Sequence, residues 1–353
     1  MFQRWRRARQ NYSGRAHWLC EVDRLVRFHA FGFLAIWPLL GAAAVADWTP
    51  RLFVGIAAVT LCFNTFGAIL NDVMDLPVDG TNPLRARDLL VRGAVTRRQA
   101  VMLAALQIPL IGIAHWAAGF PPRTLSWVAA GLIGMAAYDR WSKKLRVPPL
   151  IEASQAAAGS LLVVYGASVT GQPITGEVWP VALSAAAFIL FVNAFHGGLR
   201  DVENDRICGQ RTTPIWLGCR GVENGRVHIA AAMSVYSAAL QGLLIACAVW
   251  ASTGEGTDQV GPAVVVLASA ANVAVFVGEH AVRKPAWDIL LRVHVASAAV
   301  PLMLAFVPQL GGLGSAALFT TYFAPMLVMD RSHLVARPPN PVEPRGMQMS
   351  PSR

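Results

Sequence analysis

Residues 52–70, LFVGIAAVTLCFNTFGAIL, run without a break into residues 71–79, NDVMDLPVD. The first part is almost wholly apolar and as long as a bilayer crossing, which takes ~20 residues of helix. The hydrocarbon offers no water, so its backbone groups must pair within the segment, as they do in a helix. The second part is a dense patch of acid at the C-terminal end of that helix. The stretch therefore predicts a membrane helix with a charged rim.

Similar apolar blocks occupy 28–46, 101–119, 124–138, 150–169, 178–199, 227–251, 261–281, 289–308 and 311–329. The 124–138 block is short, and Gly311, Gly312 and Gly314 interrupt the last. The 353 residues are 55% hydrophobic and only 14% charged, against roughly 25% charged in a soluble domain. The expected fold is an all-α, polytopic transmembrane bundle of nine or ten spans, over 28–330. A basic arm, 1–27, precedes it and is read as carrying no cleavable leader. The tail, 331–353, has no apolar period and is read as disordered.

Charge is distributed unevenly. Of the 30 basic residues, all but Arg51 and Arg123 fall on one side once the blocks alternate across the bilayer. By the positive-inside rule that side is the cytoplasm, which puts the N-terminus inside a cell membrane. An even number of spans also places the arginines of the tail inside. The net charge of +10 then reflects topology and attraction to anionic lipid. No basic soluble domain is present to bind nucleic acid. The five cysteines show no metal-type spacing and are read as inert thiols.

The acids are more telling. Asn71, Asp75 and Asp79 are spaced i, i+4, i+8, which sets them on one helix face. Pro77 disfavours helix at Leu76, so Asp79 is expected on the turn just beyond. A second cluster, RDVENDRICG at 200–209, ends the 178–199 block. Asp201 and Asp205 repeat the i, i+4 spacing, and Gly209 follows as a helix stop. Both clusters sit at helix C-termini, where the macrodipole disfavours a carboxylate by ~0.3–1 kcal/mol, and like charges at i, i+4 add to the cost. A divalent cation reverses the sign of these terms. Oxygen-only ligands suit Mg²⁺, which keeps part of its shell for water and substrate phosphates. Counter-charge follows each cluster: Arg85, Arg87, Arg92, Arg97 and Arg98 after the first, Arg206 and Arg211 after the second. Arg140, Lys143 and Lys144 lie beside Tyr138. Metal together with Arg and Lys is the equipment for holding a metal-diphosphate complex.

At these residues the chain resembles the UbiA superfamily of intramembrane prenyltransferases. That family carries N-x-x-x-D-x-x-x-D after its second helix, matched here by Asn71, Asp75 and Asp79, with Asp72 as the frequent extra acid. It carries D-x-x-x-D-x-x-x-G after its sixth, matched by Asp201, Asp205 and Gly209. The longer run RDVENDRICGQRTTPIWLG and the Arg-rich loop DGTNPLRARDLLVRGAVTRRQA also look like the family's, and Tyr138 with Lys143 or Lys144 stands for its Tyr and Lys pair. The chain departs from the pattern at Asp88-Leu89-Leu90 and at Asn204, which replaces a usual glycine. The resemblance covers roughly residues 25–330.

What the resemblance implies is a bundle around a central cavity, open to the cytoplasmic side. Asn71, Asp75 and Asp79 would hold one Mg²⁺, and Asp201 and Asp205 a second. Arg85, Arg87, Tyr138, Lys143, Lys144, Arg206 and Arg211 would bind the diphosphate of an isoprenyl donor. Ionisation to an allylic cation and capture by an electron-rich acceptor would follow. Asp75 and Asp201 would be catalytic, with Asp72 accepting a proton or tuning a metal. His196 and Asn193, one and two turns before Asp201, would line the acceptor pocket. A membrane terpene cyclase of the same superfamily would use the same acids. An ion-coupled transporter would place its acids nearer the midplane.

Overall fold

The computed structural model describes residues 21–82, 85–86, 88–142, 144–222, 226–253, 260–281 and 293–335. Each apolar block is helical there. The helices are α1 (Phe28–Ala43), α2 (Pro50–Asp79), α3 (Arg97–Ala117), α4 (Leu125–Trp141), α5 (Pro148–Ser168), α6 (Val178–Phe191), α7 (Gly198–Ile207), α8 (Ala231–Ser252), α9 (Val260–Ala281), α10 (Val300–Ala305) and α11 (Val307–Val335). The chain is a multi-pass membrane protein. Among the described residues eight helices are long and apolar enough to cross a bilayer. The nine or ten expected spans thus resolve into eight of full length and two shorter pieces, α4 with 17 residues and Val293–Ala305.

Several boundaries differ from expectation for physical reasons. Pro77 does not end α2, which runs on to Asp79. Proline removes only its own N–H, and Gly80 N still bonds Leu76 O at 3.0 Å, holding the last turn. The basic arm is helical over 21–26 and breaks at Arg27, whose φ is +50°. Gly311, with φ +63° and ψ −175°, kinks α11 at its start. The all-helical expectation has one exception: Arg220–Val222 and Arg226–His228 pair as an antiparallel hairpin ahead of α8. Glu223-Asn224-Gly225 in between carries an Asn-Gly pair, a strong hairpin-turn signal in sequence.

The core is built around α1, which packs on α2, α5, α6 and α11. Lipid is as apolar as leucine, so close approach by small residues, not hydrophobic expulsion, holds such helices together. A Cβ added at Gly41 would overlap the carbonyl oxygen of Val163, and one at Gly166 that of Pro38. The α1 and α5 backbones therefore touch. Trp37, Phe188 and Tyr322 fill the space beside them. Helix α3 lies outside, against α2, and turns Met102, Ile113 and Trp116 outward.

Between α6 and α7 the chain makes one π-helical turn, Val192–Gly197. Such wide turns insert a residue into a helix and recur at functional sites. Here the turn joins the apolar span to the second acidic cluster.

Candidate active site

The two acidic clusters meet. Thr81, just past the first, places its hydroxyl 3.4 Å from Asn204 Oδ1 and 3.2 Å from Cys208 Sγ, both in the second. Asn204, where the resemblance would have glycine, makes that link. One cavity of about 790 Å³, open to solvent, lies between them. Asn71, Asp75, Asp79, Asn82 and Arg85 line one wall; Arg200, Asp201, Asn204 and Asp205 line the other. Tyr138 of α4, Glu152 of α5 and Asn193 of the π turn complete it.

Local structure aims these side chains. Helix α2 carries Asn71, Asp75 and Asp79 on a single stripe because it stays helical through Pro77. Helix α7 stops after Ile207: Cys208 N bonds Asn204 O at 3.0 Å, Gln210 N bonds Asp205 O at 2.8 Å, and Gly209 takes φ +66°. Thr213, past that stop, donates to Glu152 Oε1 at 2.6 Å and so ties the second motif to α5.

A second cavity of about 820 Å³ shares Arg27, Asn71, Tyr138 and Asn193 with the first. Its walls are mostly apolar, with Phe33, Leu34, Met135, Phe188, Ile189 and Val192. A charged chamber thus adjoins an oily one, with the four shared residues as the polar throat between them. That is the shape of a site for an amphiphile with an anionic head.

The expected cations fare unequally. Arg85 lines the polar chamber, 4.0 Å from Asp79 and 3.3 Å from Asp88. Burial works against its charge most strongly, but Asp79, Asp72 and Asp201 together outweigh it and hold the guanidinium more firmly protonated than usual. Arg206 turns away and pairs with Glu203 at 2.7 Å on the exposed side of α7. Lys144 is exposed and donates back to Arg140 O at 3.0 Å, and Arg211 is exposed as well. None of these three lines the chamber. Helix geometry explains Arg206, which sits one residue past Asp205 and so points about 100° around the helix from it. Arg87 and Lys143 lie outside the described residues.

Asp72 also stands apart from the polar chamber. It is 8% exposed and ion-paired to Arg27 at 2.5 Å. One residue beyond Asn71, it sits about 100° around α2, and the Arg27 guanidinium bridges the two. His196 lines neither cavity: it packs edge-on to Phe191, Phe195 and His294. Of the expected acceptor pair only Asn193 reaches the throat, where it donates to Gln155. Among the described residues, no three Asp, Glu, His or Cys side chains converge closely enough to enclose a metal. The acids line a shared space, and a cation there would need oxygens from a ligand.

Three residues in these walls have no counterpart in the sequence reading. In sequence Arg27 belongs to the basic arm, yet its guanidinium reaches Asn71 Oδ1 at 2.9 Å and borders both chambers. Glu152 was legible in principle, since a lone acid inside an apolar block marks a functional position by default. Asp139, one residue past the 124–138 block and beside Arg140, carries no such signal.

Comparison with known proteins agrees with this architecture. A family model described as the UbiA prenyltransferase family matches residues 32–288. The chain is similar to the 4-hydroxybenzoate octaprenyltransferase of Aromatoleum aromaticum, at 29% identity over 63% of this chain and 71% of that one. It is also similar to the same-named protein of Pseudomonas syringae pv. tomato, at 26% identity over 61% and 68%. Among solved structures it resembles a UbiA homologue from Aeropyrum pernix K1, with TM-score 0.61 and 20% identity, over 81% of this chain and all of that one. A UbiA homologue from Archaeoglobus fulgidus bound to GPP and Mg²⁺ aligns with TM-score 0.50 and 15% identity, over 87% and 99%.

Proposed function

The chain belongs to the UbiA prenyltransferase family, a membrane-embedded transferase, and from that premise we propose that it moves an isoprenyl group from a prenyl diphosphate to an aromatic, electron-rich acceptor with the help of Mg²⁺. One observation carries the reading: both acidic motifs line a single chamber that adjoins an apolar one. The diphosphate takes the charged chamber and the isoprenoid tail the apolar one. The aromatic acceptor is supported by the relatives, which are named for 4-hydroxybenzoate.

The residues fit the metal by their chemistry. They offer only oxygen, from carboxylates and an amide, at helix ends where negative charge otherwise costs free energy. Asn71, Asp75 and Asp79 would hold one ion, Asp201 and Asp205 a second. Bound there, Mg²⁺ supplies Lewis-acid stabilisation of charge on the leaving diphosphate. Arg85 and Arg27 add cationic donors on the same side, and Tyr138 stands at the throat. The C1–O bond of the donor breaks with its electron pair departing on the diphosphate. The allylic cation is then held between apolar walls that exclude water. The acceptor ring forms the new C–C bond and loses a proton. The mouth of the cavity faces the cytoplasm in this reading, supported by the placement of the arginines.

The test is product analysis. Membranes containing the protein, given geranyl diphosphate, Mg²⁺ and a panel of phenols, should yield a prenylated phenol by mass spectrometry. EDTA should stop the reaction and excess Mg²⁺ restore it. A cyclic hydrocarbon formed from the donor alone would replace transfer by cyclisation. Persistence of full activity in EDTA would refute the metal.

Arg85→Ala should raise KM for the donor by about 10- to 100-fold, the worth of a charge-assisted contact. Its kcat should fall less. Steady-state kinetics with varied donor check this, and an unchanged KM would remove Arg85 from the diphosphate site.

A further inference from the structure

Asp88 takes no part in the chemistry above, yet it stands directly behind a residue that does. It lies on the loop after the first acidic cluster, at the Asp88-Leu89-Leu90 step where the chain departs from the family pattern. Only 16% of its side chain is exposed. It does not line the polar chamber. It borders a small recess of about 270 Å³ beside it, with Arg24, Asp72 and Asp79. From there its Oδ2 accepts from Arg85 Nη1 at 3.3 Å. Arg85 Nε stays 4.0 Å from Asp79, beyond hydrogen-bond reach. The backbone fixes this pairing: Asp88 N bonds Arg85 O at 2.9 Å, and Arg92 N bonds Asp88 O at 3.0 Å. The basic arm holds the other side. Arg24 Nη1 is 3.8 Å from Asp88 Oδ1, Glu21 pairs with Arg92 at 2.8 Å, and Leu25 joins Val73 and Leu90 in one buried cluster.

We propose that Asp88 is a positioning residue for prenyl transfer: it holds the Arg85 guanidinium back from the metal-binding acids and presents it to the donor diphosphate. This rests on the reading of the polar chamber as the diphosphate site. An arginine on a flexible stem, facing Asp79 across 4.0 Å, would otherwise fold onto that carboxylate. It would then neutralise an acid that the metal needs and use up its own donors. Asp88 supplies a competing anion outside the chamber. One of the five guanidinium N–H donors goes to Asp88, and the rigid fork then fixes where the others point. The diphosphate meets a cation already oriented. Ordering a rotamer-rich side chain in advance spares a cost that would weaken binding by about 2- to 10-fold.

The experiment reads head-group binding and turnover side by side. Inorganic diphosphate with Mg²⁺ is titrated into the purified protein and followed by the rise in Tm. KM for geranyl diphosphate is measured in the transfer assay. Asp88→Asn keeps the shape and removes the charge. It should weaken diphosphate binding and raise KM for the donor by about 3- to 10-fold, while kcat and KM for the phenol hardly change. Asp88→Glu regains the charge-assisted contact and should return both readings to within about twofold of wild type. In an Arg85→Ala background Asp88→Asn should alter neither reading by more than about twofold, because the partner it acts through is gone. Where Asp88→Asn does not purify, Asp88→Ser is read in its place. A wild-type KM in Asp88→Asn overturns the assignment. So does an equal loss in the Arg85→Ala background, which would mark a merely structural role. Either result leaves Arg85 at the diphosphate and prenyl transfer standing. A wild type that forms no transfer product and gains no Tm from diphosphate removes the underlying reading instead.

Discussion

Asp201→Asn and Asp75→Asn should each lower prenyl transfer by about 10³-fold or more, with the protein still inserted and monodisperse. The estimate follows from charge. Each substitution removes one anion from a chamber where developing charge on the diphosphate is met by cations, and a loss of ~4 kcal/mol in the transition state is a factor of about 10³. Asparagine keeps the shape and one acceptor oxygen, so packing should barely change. The structure also supplies its own comparison. Arg206 pairs with Glu203 on the exposed face of α7, and exposed pairs of this kind are worth little. Arg206→Ala should retain activity within about twofold. Turnover of all three variants at saturating donor decides the matter. If Asp75→Asn and Asp201→Asn stayed near wild type, the metal-diphosphate assignment would have to be abandoned.

Gly166→Leu should give a protein that cannot be purified in folded form, or one whose Tm falls by about 10 °C or more. A side chain at this position meets the Pro38 carbonyl of α1, which is backbone and cannot rotate aside. Relief requires α1 and α5 to separate. Those helices form the centre of the bundle, so the change would spread to the walls of both chambers. Overpacking commonly costs ~1–3 kcal/mol when side chains yield, and more is expected where backbone must move. Gly242→Leu is the matching control, since nothing lies within 4 Å of its added Cβ. Size-exclusion profiles and thermal unfolding in detergent would separate the two. Equal stability of both variants would show that the α1–α5 contact is looser than described.

Much of this architecture was legible before any coordinates. Length and hydropathy alone give the helices, because the bilayer forces backbone pairing within each span. The acid stripe on α2 and the pair on α7 follow from i, i+4 spacing. Their convergence does not, since it depends on α2, α4, α5 and α7 surrounding one space. Spacing also cannot tell which neighbours of an acid face inward: Asp72 and Arg206 each sit one residue from a cavity residue and point elsewhere. Arg27 was hidden by its company, one arginine among many on the basic side. The break of 293–305 at residue 299 is hidden in a mostly apolar sequence, in which only Pro301 hints at a helix start.

The wide turn at Val192–Gly197 has a lasting effect on everything downstream. One surplus residue offsets the angular count by about 100°, so the half of this segment embedded among its neighbours and the half bearing Asp201 and Asp205 are indexed separately. The embedded half can keep its seat on α5 and α8 while the acids are dialled to face Asp75. In a helix of constant pitch, those two demands would compete for the same residues.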